Sequence, residues 1–435
     1  MQQANIEQVS ALERRVNLSV AMQAIEAEVA NRLKHLARTV RIAGFRPGKV
    51  PMSVVAKQYG GEARQDALGN AIERVFSQVV QDNKLKVAGF PRIEPKTDAA
   101  DPAVFEFYAV FEVYPEITLG DMSGAEITRP MVEVSDAEVD KTLDVLRKQR
   151  VQFESADRAA QTNDLVTLDY VGKIDGEVFA GGEAKGFRVV LGEGRTLAEF
   201  EAALVDVKAG DSKTFDVTFP TDYQASELAG KTAQFSVEIT DVAEPKLPAV
   251  DAEFAKSLGV TDGDVAKMRA EIQANLVREV KNRVQAQVKD QVMQVILTAT
   301  VVETPKSLVQ NEATRLMEQA RSDMQARGMN VADIPMPTDI FEERAQRRVA
   351  LGLILAEVVQ SQSLAAKSEQ VTAMIEEFAE SYEDPQNVMA WYRKNPEKMQ
   401  EIESLALENN VVEWVLGQAK VIEQVTAFDE LMGKA

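Results

Sequence analysis

The sequence predicts a multidomain α+β protein: an α+β N-terminal domain, a strongly bent β-sheet domain holding one short helix, and an all-α C-terminal domain. Three observations carry this. At 435 residues the length suits about three domains. At Asp164 the pattern turns to short strands divided by turn residues, the mark of a compact β domain. From Asp251 onward the apolar residues recur at helical spacing almost without interruption.

The N-terminal domain covers residues 1–115. Leu12, Val16, Leu18 and Val20 mark a strand over residues 12–20. Ile25, Val29, Leu33, Leu36 and Val40 then give a helical face. A loop follows, Gly44-Phe45-Arg46-Pro47-Gly48-Lys49-Val50-Pro51. Pro47-Gly48 suits the centre of a type II turn, where glycine accepts φ > 0. Pro51 opens a helix toward Tyr59, and a longer helix spans about residues 62–81. Strands are expected over residues 84–87 and 104–113.

The loop has two readings. It is a solvated helix–helix turn, or an exposed tip that docks Phe45, Arg46 and Lys49 on a polyanionic or mixed surface. Charge bears on the choice. Residues 1–60 carry nine Lys/Arg against four Glu, a net of +5 inside a chain of net charge -20. A basic region that coincides with the tip favours an anionic partner.

Residues 116–134 read as an extended linker. Ser135-Asp136-Ala137-Glu138 is a capping box opening a helix that ends by about Val151, so residues 116–150 form an arm. The β domain covers residues 151–246. Strands are expected over residues 165–171, 187–191, 212–219 and 232–242, with a tight hairpin at Asp175-Gly176. Thr196-Leu197-Ala198-Glu199 reads as the capping box of a short helix over residues 197–205. Pro245 and Pro248 form a joint to the helical region, residues 247–435.

In that region Met268, Ile272, Leu276, Val280, Val284, Val288, Val292 and Ile296 recur at strict intervals of four. Each step overshoots a full turn by about 40°, so the stripe winds around a helix roughly 50 Å long. Either it meets different neighbours along its length, or part of it is an open apolar surface for unfolded chains. Further helices are expected at about residues 305–327, 338–362, 368–382 and 397–420. Residues 301–435 hold 13 Lys/Arg against 23 Asp/Glu, a net of -10. That keeps exposed apolar groups in solution.

Composition excludes several classes. Cysteine is absent, which removes disulfides and thiolate chemistry. The one histidine, His35, reads as structural, and Ser-His-Asp triads or multi-His metal sites are hard to build from one imidazole. Residues 1–20 lack an apolar core behind a basic start, so no signal peptide is expected. The most apolar run, Val349 to Val359, is too short to span a bilayer. A cytoplasmic protein with no membrane partner is expected.

Several motifs together resemble the bacterial trigger factor family of ribosome-associated chaperones. They are the loop from Gly44 to Pro51, Arg64-Gln65-Asp66, Phe111-Glu112-Val113-Tyr114-Pro115 and the strand with Leu168-Asp169-Tyr170. Phe179-Ala180-Gly181-Gly182 and the tail Phe428-Asp429-Glu430-Leu431-Met432 also agree. The resemblance covers essentially the whole chain. It implies that the N-terminal domain docks on the large ribosomal subunit near the exit tunnel. Phe45, Arg46 and Lys49 would meet ribosomal protein and RNA there. Some members carry a cation where Pro47 stands, so Arg46 and Lys49 must supply the anionic contacts.

It further implies that the middle domain is an FKBP-type peptidyl-prolyl isomerase. Turning an X-Pro amide breaks no covalent bond and needs no acid, base, metal or cofactor. An apolar pocket favours the twisted, less polar amide and so lowers part of a barrier near ~20 kcal/mol. The matching pocket positions are Tyr170, Phe179, Phe187, Leu197, Phe200, Tyr223 and Phe235. The alternative is that they are only the core of a small barrel. Two departures stand out. Ala180 occupies the place of an acidic residue, and Ala198-Glu199 that of a Pro-Gly pair.

The helical region would be the chaperone body, packed between the other two domains in an open molecule with an apolar-lined cradle. Met268, Ile272, Leu276, Val280 and Val284 would meet nascent and unfolded polypeptides, and a homodimer off the ribosome is admitted. Three functions are therefore weighed. The first is a ribosome-associated chaperone that keeps nascent chains folding-competent, for folding and export, with an accessory prolyl isomerase. The second is primarily a prolyl isomerase with helical substrate-recruiting extensions. The third, a plain RNA-binding protein, fits poorly with the net charge of -20.

Overall fold

The protein, as a computed structural model, is described over residues 6–43, 45, 49–96, 101, 103–223, 225, 227–331, 334–379, 382 and 384–433. It forms two compact units. One comprises Met1–Arg129 with Ala286–Glu423, the other Pro130–Gln285 with Gln424–Ala435.

In the first unit, strands β1 (Ile6–Gln8) and β2 (Glu13–Ala21) precede helices α1 (Met22–Thr39) and α2 (Met52–Asp82), then strands β3 (Val87–Pro95) and β4 (Val104–Val113). The sheet order is β1-β2-β4-β3. Alternation explains its packing: Val16, Leu18 and Val20 of β2 are buried, as are Phe107, Ala109 and Phe111 of β4. They form one core with Ile25 of α1 and Phe76 of α2. The two helices expected over residues 51–59 and 62–81 are one helix of 31 residues. It runs through Gly60-Gly61, where packing against α1 outweighs the ~1 kcal/mol helix cost of each glycine. The strand expected over residues 84–87 is displaced: Lys84 turns the chain at φ 53 after α2, and β3 starts only at Val87.

The expected linker contains a strand, β5 (Glu126–Met131), because its edge is occupied. It pairs with a late strand inside the nominally all-helical region, where the Lys420 N–H donates to the Ala125 carbonyl at 2.9 Å.

The second unit opens with α3 (Asp136–Gln149). The Ser135 capping box is complete: Ser135 Oγ accepts from the Ala137 N–H, and Glu138 Oε2 accepts from the Ser135 N–H at 3.0 Å. Strands β6 (Gln152–Ser155), β7 (Leu165–Ile174) and β8 (Glu177–Val190) follow. Next come helix α4 (Ala198–Ala203) and strands β9 (Ser212–Thr218) and β10 (Thr232–Lys246). β10 is the hub. One stretch pairs with β9, another with β6, and its length with β7, which carries β8. Register shifts at Ile239/Asp241 in β10 and along β7/β8 bend the sheet.

The expected capping box at Thr196 is not made. Leu197 is the N-cap and accepts no side-chain bond. Glu199 instead accepts the Thr218 N–H at 2.7 Å.

A short helix α5 (Ala252–Ser257) leads into α6 (Val265–Ala299), and the boundary between units falls within α6, after Gln285. Helices α7 (Lys306–Ala326), α8 (Glu342–Gln362), α9 (Ser368–Ala379), α10 (Pro385–Lys394) and α11 (Pro396–Gln418) follow. Strand β11 (Lys420–Val425) and helix α12 (Phe428–Leu431) close the chain. Pro396 begins α11 at the position where a missing N–H costs least. None of the described helices is long and apolar enough to cross a membrane.

Candidate functional site

The bent sheet gathers aromatic side chains because its strands alternate. β7 turns Leu168 and Tyr170 inward, β9 Phe215 and Val217, and β10 Phe235, Val237 and Ile239. β8 adds Phe179 and Phe187, α4 adds Phe200, and all pack in one core. Tyr170 lies edge-on to Phe187 at 5.3 Å between ring centres and 6.1 Å from Phe200. Phe200 and Phe235 are 5.2 Å apart, and Phe179 and Phe235 are 6.0 Å apart. Edge-on contacts of this kind suit the ring quadrupole.

All seven sequence-predicted pocket residues meet here. Leu197 packs on the core, and Tyr223 joins through Phe219, whose ring lies 4.8 Å away. Phe215 and Phe219 were not among the expected residues. Their signal was available: Phe215, Val217 and Phe219 alternate along one strand.

Glycine at 172 makes room for this cluster. A Cβ there would lie 2.7 Å from the Phe235 ring and 2.9 Å from the Phe179 ring. Tyr223 is 37% exposed and stands at the rim, where Pro220, Asp222 and Ala225 border a hollow of about 470 Å³.

Where the family pattern has an acid, Ala180 offers none. Tyr170 Oη instead donates to the Gly181 carbonyl at 3.3 Å. Burial raises the Tyr170 pKa, with the nearby Tyr223 adding to it, so the phenol stays neutral. Asp164 braces the start of β7, where its carbonyl accepts the Leu191 N–H at 3.0 Å. Burial pushes its side-chain carboxyl up, but bonds from Arg158 and from the Gln161 N–H (2.8 Å) outweigh it and hold the pKa low.

At the N-terminal tip, α1 and α2 pack through Leu33, Val50, Val55 and Ala63. This small core fixes both ends of the loop. Phe45 is 41% exposed, its N–H donating to the Ile42 carbonyl at 3.1 Å, and Lys49 is exposed. Arg46, with Gly44, Pro47 and Gly48, lies outside the described residues.

The five residues of the α6 stripe expected to meet clients differ in exposure. Met268 is 1% exposed and sits in a core with Val139 and Leu143 of α3 and Phe254 of α5, and Ile272 and Leu276 pack against it. Val280 is buried and Val284 half-buried. Met268 and Val280 are closed off by their own unit, while Ile272, Leu276 and Val284 keep partly exposed surface. The physical reason is the winding stripe, each segment of which meets a different partner. Farther along, Gln291 bonds both the N–H and the C=O of Thr128 at 2.8 and 2.7 Å, and Lys289 pairs with Glu408.

Comparison with known proteins decides the affiliation. Residues 2–146 match the family model of the bacterial trigger factor protein, and residues 264–417 match that of its C-terminus. Residues 156–240 match the FKBP-type peptidyl-prolyl cis-trans isomerase. The chain is 53% identical over 434 residues to the trigger factor of Nitrosospira multiformis, covering 100% of each. It is 53% identical over 432 residues to that of Dechloromonas aromatica, covering 99% of each.

The chain belongs to the trigger factor family.

Trigger factor membership makes it a ribosome-associated chaperone that carries an FKBP-type prolyl isomerase domain. The ribosome and nascent chains are its partners, and chaperoning is favoured over the reading as a bare isomerase. In trigger factor the aromatic assembly therefore falls within the segment that matches the isomerase model.

Proposed function

We propose that the chain divides its work by segment. Residues 1–115 dock on the large ribosomal subunit beside the exit tunnel, residues 116–150 are an arm, residues 151–246 turn X-Pro bonds, and residues 247–435 hold clients. A cytoplasmic location follows from that docking.

Tyr170, Phe179, Phe187, Leu197, Phe200, Tyr223 and Phe235 bind the prolyl segment, with Phe215 and Phe219 as further walls. The observation that carries this is the aromatic assembly itself, in which Tyr170, Phe179, Phe187 and Leu197 are only partly buried and Tyr223 is partly exposed. Its chemistry is desolvation of the twisting amide against neutral walls, with the Tyr170 hydroxyl as a neutral donor beside them. Proline-limited refolding measured with Phe200→Ala and Tyr223→Ala tests it. Undiminished acceleration by both variants rejects the pocket.

Phe45, Arg46 and Lys49 contact ribosomal protein and RNA, supported by the exposure of Phe45 and Lys49 and the local net charge of +5. Ribosome co-sedimentation of Phe45→Ala/Arg46→Ala is expected to fall about tenfold or more, and retained binding removes the assignment. Client contacts fall on exposed apolar groups of the helical region, above all Phe378, Tyr382 and Trp391, each about half exposed. Phe378 and Trp391 lie against the more buried Tyr392, and Tyr382 lies against Phe378. Self-association off the ribosome is tested by sedimentation equilibrium of the free chain.

A further inference from the structure

Glu201 occupies a costly position for a carboxylate. It is 8% exposed, directly follows Phe200 and belongs to a helix of six residues. Its oxygens take three neutral donors. Oε2 accepts the Gly192 N–H at 2.8 Å, while Oε1 accepts the Thr196 N–H at 3.2 Å and the Thr196 hydroxyl at 3.1 Å. Burial by itself would raise its pKa, but these bonds outweigh burial and lower it, so the group is an anion at neutral pH.

All three donors lie on the turn that joins β8 to α4. Other bonds on the turn are the Glu193–Arg195 ion pair at 2.8 Å and, at its start, those of Leu191 with Asn163 and Asp164. Glu193, Gly194 and Arg195 are exposed, and the N-cap of α4 makes no side-chain bond. Gly192 adopts φ +91, and a Cβ there would lie 2.7 Å from the Thr162 methyl. Gly194 follows at φ +67, so two glycines shape the turn outside and one carboxylate binds it inside. Leu197 and Phe200 leave this same segment for the aromatic assembly, where Phe200 meets Tyr170, Phe215 and Phe235. α4 is held to β9 by Glu199, which accepts the Thr218 N–H, and by the Lys213 ammonium, which donates to the Ala203 carbonyl at 2.7 Å, while Glu201 ties it to the turn.

We infer that Glu201 is a positioning residue of the prolyl isomerase: by binding the 192–196 turn from within α4, it fixes the seat of Leu197 and Phe200 in the pocket. It touches no substrate. The inference rests on the pocket reading above. It also accounts for how α4 begins without the Pro-Gly pair or a capping box.

The test uses the full chain and measures kcat and KM on an X-Pro peptide beside the unfolding midpoint of the domain. Glu201→Gln keeps the shape but turns an amide N–H₂ toward one donor. Its kcat/KM should fall about tenfold, with KM shifting less than about twofold because the aromatic walls remain. Thr196→Val removes one donor of the three and should cost about threefold. Val242→Ala opens a cavity in the same core without touching the turn, and should stay within about twofold of the parent despite its lower midpoint. The inference is overturned if Glu201→Gln stays within twofold, or if Val242→Ala loses as much as Glu201→Gln. Phe200→Ala separates the two levels: an unchanged rate there rejects the pocket itself, whereas a lost rate beside an active Glu201→Gln rejects only the role of Glu201.

Discussion

In the bent sheet, inward side chains from separate strands converge on one cluster, whereas along α6 apolar residues spaced four apart diverge into separate cores. Both patterns are plain in the sequence. The difference is geometric. Alternate strand residues share a face, and sheet curvature brings several such faces together. A four-residue step on a helix rotates the stripe by about 40° each time, so its ends face different neighbours. Convergence yields one aromatic assembly, several of whose members stay partly exposed. Divergence yields packing, with Met268 sealed at one end and Ile296 at the other. Equal hydrophobicity therefore does not mean equal availability to a client.

Four changes break or sharpen this contrast. The largest effect is expected from Phe200→Ala, which removes a ring at the centre of the assembly. It should lower prolyl isomerase kcat/KM by about 100-fold and domain stability by about 3–4 kcal/mol. Aggregation suppression by the intact chain should persist, and its loss in a light-scattering assay would tie chaperoning to the pocket.

Met268→Ala comes next. As a core residue it should cost about 3 kcal/mol in chemical denaturation. Client holding below the transition should be unchanged, while Val277→Ser, at an exposed position of the same helix, should cost under about 0.5 kcal/mol. Equal stability of both variants would return the stripe to the surface.

Asp164→Asn leaves Arg158 with a weaker partner and should cost about 2 kcal/mol. The sign of the pH dependence follows from the depressed folded pKa. The contribution of Asp164 is full above its unfolded value, near ~4, and is lost as pH falls through the lower folded value. Thermal melts should therefore be flat from neutral pH to about 5 and decline below it, with a shallower decline in Asp164→Asn.

The smallest effect belongs to Tyr170→Phe, which deletes only the bond to the Gly181 carbonyl. About 1 kcal/mol of stability and less than about fivefold in kcat/KM are expected. A larger fall in steady-state kinetics would give the hydroxyl a direct part in the reaction.

The sequence by itself determined much of this protein. Alternation marked β2, strand-like runs marked β4, β7 and β10, the Ser135 capping box marked α3, and the family resemblance named seven positions of the aromatic assembly, though not Phe215 and Phe219. Such signals are local, and the residues carrying them are near neighbours in the chain.

Tertiary structure decided the rest. The strand over Glu126–Met131 exists because Lys420–Val425 supplies its partner about 290 residues later. The short helix is capped at Leu197 rather than Thr196 because Glu199 is drawn to the Thr218 N–H and Glu201 to the turn. The 31 residues of α2 stay helical across two glycines because α1 lies against them. Met268 is core because α3 and α5 close over it. In each case the deciding partner is distant in sequence, and no spacing within the segment records it.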